Sequence, residues 1–164
     1  MRRIVEILIM CAASVLASGA LAAEAPTTAD VLSKIHSVNQ LEMDRGRMAI
    51  QVGSTREVRK LGHTVVDDHL AIEKKVAKLA KDEKIALADV TPAGNQDGLP
   101  TGDAFDAAFA KALLSSQRQA IAELGDARAA TSDDRLKKLI DEVLPVLERH
   151  EDAARRLLAQ AKRS

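Results

Sequence analysis

Val58, Val65, Ile72 and Leu79 recur every seven positions in the middle of the chain. Branched apolar side chains at that interval share one stripe of an α-helix, and the stripe needs other helices to cover it. Three more stretches carry the same signature. Val31, Ile35, Val38, Leu41, Met48 and Ala49 keep a helical rather than an alternating period, as do Phe105, Phe109, Leu113, Leu114, Ile121 and Leu124. The last stretch runs in two columns, Leu136, Val143, Leu157 and Leu139, Val146, Ala153. The spacing predicts helices over about 30–52, 54–84, 103–127 and 131–161. Thr28 or Asp30 is the expected cap of the first. Ser54 or Thr55, with Glu57, is expected to cap the second, and Thr131 to Asp134 the fourth. Pro145 falls inside the fourth and is expected to kink it, because its ring removes an N–H and clashes one turn back.

The connections shape the topology. Gly53-Ser54 and the residues around Thr131 allow only short turns, so helices 1 and 2 form one antiparallel hairpin and helices 3 and 4 another. Between them, 85–101 carries Pro92, Gly94, Asn95, Asp97, Gly98 and Pro100. Extended at ~3.3 Å per residue, this segment reaches roughly 56 Å. Helix 2 is only about 44 Å long. The loop can therefore cross the bundle, and the expected fold is all-α: a ferritin-like antiparallel four-helix bundle with a long loop between helices 2 and 3.

The first 23 residues read as an address. Met1-Arg2-Arg3 is basic, Ile7 to Val15 is apolar, and Ala17 to Ala23 is rich in small residues. That is the layout of a secretory signal peptide cut after Ala22 or Ala23. The predicted organisation is a signal peptide over 1–23 and a bundle domain over 24–164, exported to the periplasm in a Gram-negative cell. No transmembrane segment is expected after cleavage. Met10 before Cys11 spoils a lipoprotein box, and cleavage removes this single Cys, leaving no thiol for a disulfide, an iron–sulfur cluster or a nucleophile. It also takes two bases and one acid from a chain balanced at 24 and 24, for a net charge of −1. Charge balance argues against nucleic acid as a partner, and two Phe without Tyr or Trp leave no platform for base stacking.

From Ile35 to Leu157 the chain resembles the domain of unknown function 4142 family, ferritin-like proteins exported by bacteria. Leu41-Glu42 through Gly46 and Ala49, Val65-Val66-Asp67-Asp68-His69, Phe105-Asp106, and Leu144-Pro145-Val146-Leu147 with His150 carry the resemblance. It implies a four-helix ferritin-like bundle and no established activity. Ser116-Gln117 departs from it, because the family tends to have Asp-His there.

Each helix places one polar side chain on its apolar stripe. Glu42 lies between Ile35 and Ala49, His69 between Gly62 and Val76, Gln117 between Ala110 and Leu124, and His150 between Val143 and Leu157. All four fall near mid-height. Buried, such groups cost roughly 1–3 kcal/mol each unless they are paired, and a charge costs more. Two readings stay open. One is a metal site of Glu42, His69 and His150, with Asp68 and Gln117 as neighbours and a transition metal ion as the cofactor. The other is a hydrogen-bonded network that sets helix register. Val66 and Leu147 stand three before the two histidines, so the Glu-x-x-His pairs of a di-iron oxidase are missing. Ala154 breaks an H-E-x-x-H match at His150, and no nucleophile elbow, P-loop or dinucleotide fingerprint occurs. His36 and His63 read as surface histidines. The expected protein is a non-catalytic envelope module that binds a protein or small ligand or serves in stress or assembly. The alternative is a metal-binding or redox protein.

Overall fold

The computed structural model describes residues 26–88 and 98–161. The predicted signal peptide, Cys11 within it and the centre of the 85–101 loop lie outside these residues. Among them the structure is all-helical: α1 (Thr28–Val52), α2 (Arg56–Asp82), a 3-10 turn (Gly102–Ala104), α3 (Phe105–Ala130) and α4 (Asp134–Ala161). No described helix is long and apolar enough to cross a membrane.

The caps show why the helices begin where they do. The Thr27 hydroxyl accepts from Asp30 N–H at 3.2 Å, while the Asp30 carboxylate accepts from Thr27 N–H at 2.9 Å. This closes a capping box one residue ahead of the expected cap. Thr55 caps α2 through Val58 N–H at 3.3 Å. Asp133 caps α4, its carboxylate accepting from the N–H groups of Arg135 and Leu136. Helix 3 starts later and ends later than expected, since Gly102 takes a left-handed φ of 66° and the first residues form the 3-10 turn. Helix α4 runs unbroken through Pro145.

α1 packs most extensively on α2, and α3 on α4; α2 also meets α4, and α1 meets α3. The diagonals α1–α4 and α2–α3 make little contact. α1 and α2 approach closely where Gly46 and Gly62 face each other. A Cβ on Gly62 would lie 2.7 Å from the Gly46 carbonyl oxygen. Near the same end, the Asp106 carboxylate accepts from the N–H groups of Ser54 and Thr55 at 2.8 and 3.0 Å, tying the α1–α2 turn to the start of α3.

The core comes in two apolar clusters. One contains Leu32, Val76, Leu124 and Ile140; the other contains Ala49, Val65, Phe109 and Ala154. The rings of Phe105 and Phe109 stack in the second, centroids 5.9 Å apart. Between the clusters every helix buries at least one polar residue.

Candidate functional site

Among the described residues the buried polar and charged ones are Asn39, Glu42, His69, Gln117 and His150, none more than 2% exposed. Helical spacing and burial put them in the gap between the clusters. On α1 the gap lies between Ile35 and Ala49; on α2, between Val65 and Ile72. On α3 it lies between Leu113 and Ala120; on α4, between Leu147 and Ala154. Every helix contributes, so the five residues make one polar layer across the bundle.

The layer is wired to the surface on two sides. His36 Nδ1 donates to Glu73 at 2.5 Å, and Asn39 Nδ2 donates to the other Glu73 oxygen at 3.0 Å. Asn39 Oδ1 lies 2.9 Å from His69 Nδ1. A carboxylate only accepts, so the Asn39 amino group must face Glu73 and its carbonyl must face His69. His69 Nδ1 therefore carries the hydrogen, and in the neutral ring Nε2 keeps the lone pair. On the other side His150 Nε2 donates to Asp68 Oδ2 at 3.0 Å, which leaves the lone pair on His150 Nδ1. Arg149 Nη2 stands 3.9 Å from the same Asp68 oxygen. Both rings are neutral at pH 7. Burial, and then the neighbouring His150, pushes the His69 pKa down to about 3. Burial also lowers that of His150, against the opposing pull of Asp68.

The inner ends of these side chains are what the bundle leaves unsatisfied. His69 Nε2, His150 Nδ1, Gln117 Nε2 and Gln117 Oε1 are buried with no hydrogen-bond partner. The imidazole rings lie 5.2 Å apart, tilted by 40°. Two lone-pair nitrogens cannot hydrogen-bond each other; they accept a proton or bind a cation. Space is present beside His69. A cavity of about 20 Å³, enough for one water, is lined by Asn39, His69, Ala120, Leu124, Val143 and Leu147 among others. A groove of about 360 Å³ opens between α2 and α4, with Asp68, Arg149 and His150 in its wall.

The four residues read from the sequence stripes, Glu42, His69, Gln117 and His150, are therefore all buried, and the two histidines are in ring contact. Glu42 is engaged locally: its Oε1 accepts from Arg45 Nη1 at 2.7 Å. Among the described residues no three His, Cys, Asp or Glu side chains gather where they could hold a metal ion. Asp68 serves His150 rather than its chain neighbour His69, since adjacent helical residues point apart. His36 is only 15% exposed and joins the layer through Glu73. Asn39 was missed as the partner of His69. Its signal was present, because Ile35, Asn39, Glu42, Gly46 and Ala49 follow the three-four spacing of one helical face.

Together these features define a class: a helical bundle whose apolar core is divided by a layer of two tautomer-fixed histidines and an unsatisfied amide. The chain belongs to the family described as domain of unknown function (DUF4142), whose pattern matches residues 13–157. No curated protein and no solved structure matches it.

Proposed function

We propose that the protein is an exported, non-catalytic module of the cell envelope, with a ferritin-like antiparallel topology, that binds a small species in its polar layer. The observation that carries this reading is the set of buried, unpartnered atoms on His69, Gln117 and His150. A layer serving only to set helix register would satisfy its own polar groups. Each one left open costs roughly 1–3 kcal/mol, a cost that an occupant would offset. Burial at 1% or less keeps a bulky substrate away from either histidine, which favours binding over turnover.

The contacts support the topology. Lys34 meets Glu123, and Arg128 meets Asp141 while Arg118 meets Glu151, so numbering rises on α3 as it falls on α4. Lys75–Glu142 and Asp68–His150 relate α2 and α4 in the same opposed sense, and Asn39–His69 with His36–Glu73 does so for α1 and α2. Separation of α2 from α3 across the diagonal favours a crossover connection over a simple up-and-down path. Export rests on the basic, apolar and small-residue segments of the first 23 residues.

A second reading, metal binding or redox work with His69, His150 and Glu42, is favoured by the open nitrogens on two rings in contact. Native mass spectrometry of protein purified from the envelope fraction without chelator tests the binding reading. A bound mass that is lost in Gln117→Leu is expected. The unoccupied chain alone, at full folding, would overturn it.

A further inference from the structure

We propose that the groove between α2 and α4 is a surface binding site for a slender single-chain carboxylate. Lys60 and Arg156 hold the anionic head, and the apolar chain lies over Leu61, Ala153 and Leu157. This site is separate from the polar layer, and its occupation does not depend on what the layer holds.

The groove is a product of side-chain size. Along its α4 wall, Arg149, Ala153 and Leu157 follow one another a turn apart. The alanine methyl fills far less space than its neighbours, and a trough of about 360 Å³ opens beside it, within the range of small-molecule sites. Leu61 is 8% exposed, and Ala153 and Leu157 are half-buried, so the lining is apolar. Asp68 and His150, hydrogen-bonded at 3.0 Å, stand at one end. Lys60 lies eight residues before Asp68 on α2, which puts the two ends about 12 Å apart. A long, narrow apolar trough suits an extended chain better than a compact ring system.

Charge selects the head. Asp68 meets His150 and Lys75 meets Glu142. The same opposed register, continued along both helices, brings Lys60 level with Leu157, next to Arg156. Both cations are exposed, and among the described residues neither has an ion-pair partner. The Asp68 carboxylate is taken by the His150 N–H, with Arg149 3.9 Å away, so Glu57 is the remaining acid of the lining. Two free cations against one acid leave one positive charge, which a monoanion cancels. The α1–α3 crevice beside Pro26 is larger, about 500 Å³, and also apolar through Val31, Leu124 and Ala127. It carries Asp30, Glu123 and Asp126 against Lys34 alone, so its field repels an anion.

The purified protein should be titrated with decanoate below its micelle concentration, by calorimetry and by ¹³C-methyl spectra. One equivalent is expected to bind, shifting the Ala153 and Leu157 methyls and leaving the Ala127 methyl of the other crevice in place. Lys60→Gln and Arg156→Gln should each weaken binding about 2–5-fold, and added salt should weaken it too. Ala153→Leu keeps every charge and fills the trough, so it should abolish binding at unchanged helix content. Lys111→Gln, an exposed cation on α3 outside the groove, should leave binding unchanged. Equal binding of decylammonium, which has the same chain and the opposite charge, would overturn the assignment of the head. Shifts confined to Ala127, or wild-type affinity in the Lys60→Gln/Arg156→Gln double variant, would overturn the assignment of the groove. Absence of decanoate binding would overturn the proposal and leave the polar-layer reading standing, because native mass spectra without decanoate test that reading.

Discussion

The same substitution at two glycines should move stability in opposite directions. Gly62 lies at a close approach of α1 and α2. An alanine Cβ there would sit 2.7 Å from the Gly46 carbonyl oxygen, 3.0 Å from Ala49 Cβ and 3.1 Å from Ile50 Cγ1. An unstrained carbon–oxygen contact is about 3.3 Å, so the backbone of α1 must retreat by roughly half an ångström. The obstacle is a backbone carbonyl, which cannot rotate aside. Overpacking of this kind costs about 1–3 kcal/mol. Alanine returns about 0.8–1 kcal/mol through helix propensity, so Gly62→Ala should destabilise the protein by up to about 2 kcal/mol. Gly125 is an exposed glycine inside α3 with nothing within 4 Å of its added Cβ. Gly125→Ala should show the propensity gain alone, about 0.5–1 kcal/mol of stabilisation. The chain has neither Trp nor Tyr, so urea unfolding is best followed by circular dichroism at 222 nm. A lower midpoint for Gly62→Ala and a higher one for Gly125→Ala, at unchanged slope, are expected. If Gly62→Ala matches or exceeds the wild type, the close approach of α1 and α2 is not what holds this seam.

Three further outcomes follow from the layer and its supports. With His69 held neutral at a pKa of about 3, the unfolded chain, whose histidines titrate near 6.5, takes up protons that the folded chain refuses. Stability should therefore fall as pH drops through 6.5 toward 3, by about 2 kcal/mol from His69 between pH 7 and pH 5; a urea midpoint that stays flat across that interval would contradict the buried neutral ring. Gln117→Leu replaces an amide whose buried N and O lack partners, so it should raise stability by about 1–3 kcal/mol while costing the bound species; thermal melts and native mass spectra read the two effects separately. Asp106→Ala removes the carboxylate that accepts from Ser54 and Thr55, at a cost of about 1–2 kcal/mol. Burial raises the pKa of Asp106, but those donors outweigh it and hold the pKa below the usual carboxylate range, so the wild-type contribution should vanish in acid, where the variant and wild type should converge.

The core stripes were legible because helical periodicity is local. Val58, Val65, Ile72 and Leu79 are all buried, and so are the polar residues that interrupt the stripes on each helix. Six of the eight helix bounds shifted by two or three residues, since capping depends on which hydroxyl or carboxylate reaches a free N–H. Partner choice was less legible. Asp67-Asp68-His69 invited an Asp68–His69 pairing, yet successive residues diverge by about 100° around a helix, and Asp68 reaches His150 on α4 instead.

The sequence by itself determined four amphipathic helices, short turns within each hairpin and one polar side chain on every apolar stripe. Those follow from chain-local spacing and turn chemistry. Only the tertiary structure decided that the polar side chains lie in one layer, that Asn39 and Asp68 orient His69 and His150 inward, and that Glu42 pairs with Arg45 beside them. The reason is physical: periodicity sets the direction in which a residue points around its own helix. The height at which it meets a residue of another helix depends on how the helices slide and rotate against one another, and side-chain packing such as the Gly46–Gly62 contact sets that.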